Sequence, residues 1–507
     1  MAADILQLSV LVAGTLLLDR LVRPRPGPSA GWWRSLAGSW LCAWVALAWF
    51  SLFLAVSGHI TVAVAMALAI QALLVLVSNA KLRVLGEPLV FSDLALIGSV
   101  FRHPQFYLSA ITRSQRLLVA LAALGLGSVL AATFVARVAP HLAGVVLGAG
   151  SLAVIRVSLR LPPWRELAPE PDLTGDVQRH GLVPTLLLYG RRWRGSGDPA
   201  PVPPARLAGD VADGLAPGTC SPELVIVVQC ESFADPVALS GDPGLALPGL
   251  SAARAAASQW GALQVSGFGA YTMRTEYGVL FGRDEAQLGF RRYDPFLTAL
   301  GEASYALPAR LAGSGWQSVF VHPHDMRFYG RDRIMPAAGF TELVGEDRFA
   351  PPTEGRYVTD AAVADTILEL AAERAGPTLI YAVTIENHGP WAPDAADQGV
   401  GLLDGYLRLV RNSDRMLSRL SEALAAMRRP ALLVFFGDHR PSIPGVVMPG
   451  GPRHTPYVMM RFDAAGRLVP QLAGDVDLTP AGLHHAILRE ITGKSGAAAS
   501  RSLAAGA

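Results

Sequence analysis

Two kinds of apolar pattern run along this chain. In the first third the apolar runs are long and unbroken, approaching the roughly 20 residues that a bilayer crossing requires. They cover Ile5 to Leu18, Leu36 to Val56, Ile60 to Val77, Leu117 to Val135 and Val138 to Ile155. About five transmembrane helices are predicted over residues 1–157. In the C-terminal half the apolar runs are short, rich in β-branched and aromatic residues, and each stops at acids or histidines. Leu224 to Cys230 stops at Glu231, Ser318 to Val321 runs into His322 and His324, Leu379 to Ile385 into Glu386-Asn387-His388, and Leu432 to Gly437 into Asp438-His439. Such runs read as strands buried on both faces of a mainly parallel sheet, whose ligands gather at the carboxyl ends of the strands. The fold class expected is an α-helical transmembrane domain followed by an α/β domain.

Between the two patterns, residues 158–220 read as a membrane-proximal segment and linker. Gly181 to Tyr189, followed by Arg191, Arg192 and Arg194, suits either a helix lying on the membrane surface or an ordinary packed helix. Gly195 to Pro204 reads as a linker stiffened by proline. Residues 221–492 form the second domain. Near its end Thr479-Pro480 reads as an N-cap and first helical residue, which places His484 and His485 on a terminal helix in packed or solvated roles. The small, polar tail over residues 493–507 reads as disordered.

Composition agrees with a membrane protein: 51% of the 507 residues are hydrophobic and only 17% charged. The net charge of +2, with no basic patch carrying interleaved aromatics, argues against nucleic acid as a partner. Of the cysteines, Cys42 sits in a span and Cys220 and Cys230 flank one strand, so no disulfide framework is implied. Arginines between the first two spans (Arg20, Arg23, Arg25, Arg34) and basic residues between the third and fourth (Lys81, Arg83, Arg102, Arg113, Arg116) make both loops cytoplasmic by the positive-inside rule. Two further spans would then return the C-terminal domain to the cytoplasm. The segment from Leu85 to Leu94 is a candidate for the interface instead of a free loop.

The residues at the strand ends carry the chemistry. Glu231, Asp438 and His439 offer two carboxylates and an imidazole, a set suited to Mn²⁺, Zn²⁺ or Mg²⁺. A hydroxyl nucleophile is available in the glycine-rich stretch Gly267 to Tyr277, where Thr272 stands at a helix start, fit to be both cap and nucleophile.

In this order the motifs resemble one family: Glu231-Ser232-Phe233, Thr272 with Glu276-Tyr277, His322 leading to Phe328-Tyr329-Gly330-Arg331-Asp332, Asn387-His388-Gly389-Pro390-Trp391, and Gly437-Asp438-His439. They are similar to the lipoteichoic acid synthase and phosphoglycerol transferase branch of the alkaline phosphatase and sulfatase superfamily. The resemblance implies that Glu231, Thr272, Asp438 and His439 bind a divalent metal, Mn²⁺ foremost, and that Thr272 is the nucleophile. It implies that Arg331 and His388 assist catalysis, and that His322, His324, Tyr329, Arg331, His388 and His454 face the phosphoglycerol group. The lipoteichoic acid synthases carry tryptophan at the place of Tyr329 and asparagine at that of His324, so head-group recognition differs here.

The activity implied is transfer of phosphoglycerol from phosphatidylglycerol to a glycan or polymer, through a phospho-threonine intermediate. The family also places its catalytic domain outside the bacterial cytoplasmic membrane, against the arginine count, and its lipid donor favours that side. A sulfatase proper needs a convertible cysteine or serine in a Cys-x-Pro-x-Arg setting, which Thr272-Met273-Arg274 does not supply. Two alternatives share the pattern: a phosphoethanolamine transferase or phosphodiesterase of the same superfamily, and a membrane sensor without activity.

Overall fold

The computed structural model describes residues 2–25, 34–95, 113–205, 221–352, 355–391, 401–469 and 475–493. Its contacts divide the chain into two compact units, Met1–Gly197 and Asp198–Ala507. Cys220, Arg102 and the tail beyond Gly493 lie outside the described residues.

The first unit is helical. Four of the five expected spans lie within helices, Ala2–Asp19, Leu36–Ser57, Ile60–Leu85 and Val138–Ser158, and the fifth, Leu117 to Val135, runs past the end of helix Arg113–Ala132. Three of them, Leu36–Ser57, Ile60–Leu85 and Val138–Ser158, are long and apolar enough to cross a membrane. Their outer faces are apolar, with Leu76 67% and Val146 70% exposed, the inside-out pattern that hydrocarbon surroundings favour. Small residues set the helix spacing. A Cβ on Gly144 would stand 2.4 Å from the backbone nitrogen of Ala55, so only glycine lets these two helices approach so closely.

Polar groups tie this unit at one end. Arg34 is buried and donates to Asp19 Oδ2 (3.2 Å) and to the carbonyls of Asp19, Val22, Val177 and Gln178. Asp19 Oδ1 in turn accepts the amide of Leu182, the first residue of helix Leu182–Arg194. That helix buries Leu182 to Leu186, Leu188 and Tyr189, so its apolar side is packed, while Arg194 stays exposed. The stretch after Leu85 also folds back: Leu89 and Val90 are buried, the Leu89 amide donates to Ser78 Oγ (3.2 Å), and Asp93 pairs with Lys81.

The second unit is built on a seven-stranded sheet: β1 Leu224–Cys230, β2 Gln259–Leu263, β3 Gln317–Val321, β4 Glu342–Val344, β5 Thr378–Val383, β6 Ala431–Gly437 and β7 Thr455–Phe462, in the order β2-β7-β6-β1-β5-β3-β4. Pairing is parallel from β6 to β4, and β7 is antiparallel to both β6 and β2. The four apolar runs read from the sequence are β1, β3, β5 and β6, and every residue of β1, β5 and β6 is buried. Because they run parallel, their carboxyl ends meet at one edge.

Helices Pro248–Ala256, Asp360–Glu373 and Leu402–Met427 cover one face of this sheet. Helix Thr272–Phe281 packs against the terminal helix Pro480–Thr492. Thr479 caps that terminal helix through the Gly482 amide (3.0 Å), and His484 is packed, with its Nδ1 3.0 Å from the Val279 carbonyl. The segment read as a linker lies along the second unit from Asp198 onward. Arg291 donates to Asp198 (3.0 Å), Tyr305 to the Ala200 carbonyl (2.9 Å), and the amides of Val202 and Ala205 reach Ser304 Oγ (3.1 Å) and the Arg310 carbonyl (2.7 Å).

Candidate active site

Glu231 follows the last residue of β1, and Asp438 and His439 follow the last residue of the adjacent β6. Gly437 makes room for this junction. A Cβ there would stand 1.8 Å from the Phe233 carbonyl oxygen, so a side chain at Gly437 would block the loop that carries Glu231 across the end of β6. The loop is further pinned by hydrogen bonds: Ser232 N donates to Asp438 Oδ1 (2.8 Å), Ser232 Oγ to Glu231 Oε1 (2.8 Å), and Glu231 N to Thr384 Oγ1 (3.0 Å).

His439 Nε2 lies 3.5 Å from Glu231 Oε1, 3.4 Å from Asp438 Oδ2 and 3.4 Å from Thr272 Oγ1. Its other nitrogen, Nδ1, is 3.1 Å from the Arg440 carbonyl, which can only accept. The proton of a neutral imidazole therefore belongs on Nδ1, and the Nε2 lone pair faces two carboxylate oxygens. A lone pair and two anions converging in a buried place are stable only with a proton or a cation among them. Burial, and then the neighbouring Glu231 charge, push the Asp438 carboxyl up to about 7. The carboxylates of Asp438 and Glu231 outweigh burial and raise His439. Asp438 Oδ2 is buried with no hydrogen-bond partner among the described residues. Glu231, Asp438 and His439 are also the one group of three among the described residues whose ligand atoms lie within 4.8 Å of one another. The residues thus fit a divalent metal, with Thr272 as a fourth donor.

The structure corrects the reading of Thr272. It is the first residue of helix Thr272–Phe281, the cap position belongs to Tyr271, and no side chain caps this end. The Thr272 hydroxyl is therefore not spent on capping, and the positive end of the helix dipole lies beside it. Thr275, three residues on, is committed elsewhere, donating to the Asp438 carbonyl (2.6 Å). Ser232, Tyr271 and Tyr329 hold positive φ values of 50°, 79° and 59°, backbone strain concentrated beside Glu231, Thr272 and Arg331.

Arg331 is buried, and Glu276 takes it in a two-point ion pair, Nε to Oε1 at 3.0 Å and Nη2 to Oε2 at 2.6 Å. Nη1 donates to His322 Nε2 (3.3 Å), while His322 Nδ1 donates to the Val383 carbonyl (3.1 Å). Both nitrogens of a neutral His322 are thereby used, and burial together with Arg331 holds its pKa well below the usual range. Tyr329 lies over the guanidinium at 5.1 Å, and His324 is half-buried with its ring 6.1 Å from that of His322. His388 is half-buried, with Nδ1 2.7 Å from the Gly389 carbonyl, which leaves Nε2 as its basic nitrogen. Its ring meets Tyr357 edge-on at 5.7 Å.

His454 stands with Arg440, whose guanidinium donates to the His454 carbonyl (2.7 Å) and to its Nε2 (2.9 Å). Glu276 and Thr384 were not assigned roles from the sequence. The spacing of Glu276 from Thr272, one helical turn, was the available signal for the first; nothing local marks Thr384. Glu386, at the end of an expected strand, instead accepts the amide of Asp360 (2.7 Å) and the side chain of Asn412 (2.6 Å).

The sulfatase family model matches residues 223–487 of this chain, more than half its length. The chain belongs to the sulfatase family. The superfamily expected from the motifs is thereby established. The capsular polysaccharide biosynthesis protein RkpI of Rhizobium meliloti (strain 1021) is 28% identical over 432 residues, which are 79% of this chain and 78% of the relative. A putative cyclic β-1,2-glucan modification protein of the same organism is 26% identical over 237 residues, covering 43% of this chain and only 36% of the relative. Among solved structures, the integral membrane lipooligosaccharide phosphoethanolamine transferase A of Neisseria meningitidis superposes with a TM-score of 0.54 at 14% identity, covering 96% of this chain and 95% of that one. At that identity the likeness is one of fold: a helical front followed by a sulfatase-like α/β unit.

Proposed function

We propose that this protein is a membrane-anchored, metal-dependent transferase that moves phosphoglycerol from phosphatidylglycerol to a hydroxyl of a glycan or polymer, with Thr272 carrying the group in between. The observation that supports it best is the Thr272 hydroxyl, free of capping duty at the head of a helix and 3.4 Å from His439 Nε2 within the ligand cluster. Glu231, Asp438, His439 and Thr272 would hold the metal, for which Mn²⁺ suits this oxygen-rich donor set. When bound, such an ion supplies a Lewis acid that lowers the pKa of the hydroxyl.

Thr272 Oγ1 then forms a bond to phosphorus as the bond to the diacylglycerol oxygen breaks, and His388 Nε2 is the residue proposed to manage the proton of the leaving oxygen. The start of helix Thr272–Phe281, which no side chain caps, receives the phosphoryl oxygens. In the second half an acceptor hydroxyl displaces Thr272, and water in its place makes the enzyme a phosphodiesterase. His322, His324, Tyr329, Arg331 and His388 are proposed to surround the head group.

Phosphoethanolamine is the second reading, favoured by the fold of the Neisseria transferase. Charge argues for glycerol. The carboxylates beside this group of residues already have guanidinium partners, Glu276 with Arg331 and Asp325 with Arg327, so an ammonium would have to compete with an arginine for either. The names of the two rhizobial relatives suggest a glycan acceptor. The catalytic unit is proposed to face away from the cytoplasm, where lipid head groups and envelope glycans meet. Incubation with phosphatidylglycerol labelled in its head group should place label on the peptide containing Thr272. Label on another residue, or preferential labelling from phosphatidylethanolamine, would count against this reading.

A further inference from the structure

Beside the ligand cluster, on the side of β2 and β7, lies a cavity of about 150 Å³ that the chemistry above does not use. Two of its walls adjoin the site through the chain itself: Asp235 lies four residues beyond Glu231, and Arg440 directly follows His439. Trp260, half-buried as the second residue of β2, supplies an aromatic surface, and the Arg254 guanidinium stands 5.5 Å from its ring. The remaining polar wall is made by His454, Asp475 and Asp477.

The charges in this cavity are of both signs, and most of them are engaged in hydrogen bonds. Asp235 pairs with Arg254 (2.7 Å), and Arg440 is spent on the carbonyl and ring of His454. Asp477 accepts the Ala262 amide (3.0 Å) and the Gln264 side chain (3.1 Å). Asp475 is exposed, and its Oδ1 stands over Gly261, where a Cβ would come within 2.9 Å of it. Carboxylates and guanidiniums both line the cavity, so a small ion of either sign would meet repelling as well as attracting charges. A neutral, polyhydroxylated ring gains from every wall. Its hydroxyls donate to carboxylates and accept from guanidinium and imidazole, and its C–H face lies against indole, an amphipathic surface suited to such a ligand. The volume suits a single ring, well below what a drug-sized ligand needs.

We infer that this cavity between Trp260, Asp235, Arg440, His454 and Asp475 is the acceptor subsite, holding one sugar ring of the glycan so that a neighbouring hydroxyl reaches the phosphoryl group on Thr272. The inference rests on the transferase reading above and adds to it where the acceptor binds and that it is an uncharged sugar. It also gives His454 a place: on the acceptor side of the metal ligands, held by Arg440, instead of on the head group.

The test is direct binding of cyclic β-1,2-glucan, with other neutral oligosaccharides as a panel, to the full-length chain in detergent, read by tryptophan fluorescence and calorimetry. The wild type should bind saturably. Trp260→Ala should weaken binding at least about tenfold, as loss of an aromatic anchor does. Asp475→Asn, an exposed carboxylate whose loss leaves folding intact, should weaken it severalfold with an unchanged melting temperature. No binding by the wild type across the panel, or wild-type affinity kept in either variant, would overturn the subsite. Release of diacylglycerol from phosphatidylglycerol vesicles by the wild type, measured in parallel, reports on the transferase reading alone. Glycan binding without any such release would sink phosphoglycerol transfer and leave the sugar site standing.

Discussion

Two pairs of buried acids lie in the catalytic unit, and from charge alone they look alike. Glu231 and Asp438 form one, Asp360 and Glu386 the other, and in both the aspartate is pushed up to about 7, by burial first and its acidic neighbour second. Their surroundings differ. Glu386 is satisfied by the Asp360 amide and Asn412, and Ser413 donates to Asp360 Oδ2 (2.5 Å). The Glu231 and Asp438 pair has instead an imidazole lone pair and a threonine hydroxyl converging on it. The comparison teaches that a raised carboxyl does not by itself mark a metal site. A cation needs in addition several lone pairs aimed at one point, as the third and fourth donors beside Glu231 and Asp438 are.

Thr272→Ala puts the comparison under the greatest strain. Transfer should fall by at least about a thousandfold, the scale of removing a nucleophile. Since Thr272 does not cap its helix, the melting temperature should hardly move, and metal content by elemental analysis should be largely kept. Transfer persisting in the variant would mean that the hydroxyl at this pole is no nucleophile. Next in size is Asp438→Asn, which should lose most of the bound metal together with activity, whereas Glu386→Gln should keep both. Equal metal content in these two proteins would erase the distinction between the pairs.

Thr275→Ala sharpens the picture at a smaller scale. It removes the hydrogen bond to the Asp438 carbonyl (2.6 Å), costing about 1 kcal/mol in a melting experiment and about tenfold in metal affinity, since the bond positions a ligand. The smallest effect is one of pH. Asp360, with a folded value near 7 against 3.8 ordinarily, binds its proton more tightly in the folded state, so its contribution to stability falls as pH rises through that window. Asp360→Asn removes this term. The melting temperature of the variant relative to the wild type should therefore be higher by a few degrees at pH 8 than at pH 4, with metal content unchanged. A difference independent of pH would show that Asp360 is not held protonated.

Much of this molecule was legible in residue order, for reasons of period and chemistry. The strands β1, β3, β5 and β6 could be read because strands of a parallel sheet are covered on both faces and so become continuous apolar runs. The same parallel direction brought Glu231 and Asp438-His439 to one edge, which made this cluster of candidate ligands readable from residue order. The helices of the front unit were readable because a bilayer crossing demands length and apolarity. The motifs, taken in order, gave the superfamily that the family match bears out.

What the order of residues did not contain was how side chains separated by tens or hundreds of positions satisfy one another. Tertiary structure decided that Thr272 is the first helical residue and not the cap, that Thr275 is tied to Asp438, and that Arg331 is neutralised by Glu276 while facing His322. It decided how the arginine-rich helix Leu182–Arg194 is anchored, with Asp19 and Arg34 holding its entry. It also placed His454 with Arg440 beside Trp260, residues that share no motif. The physical reason is common to all of these. Local sequence fixes period, propensity and burial, but a buried hydrogen-bonding or charged group must find its partner wherever the fold brings one, and that partner is set by packing in three dimensions.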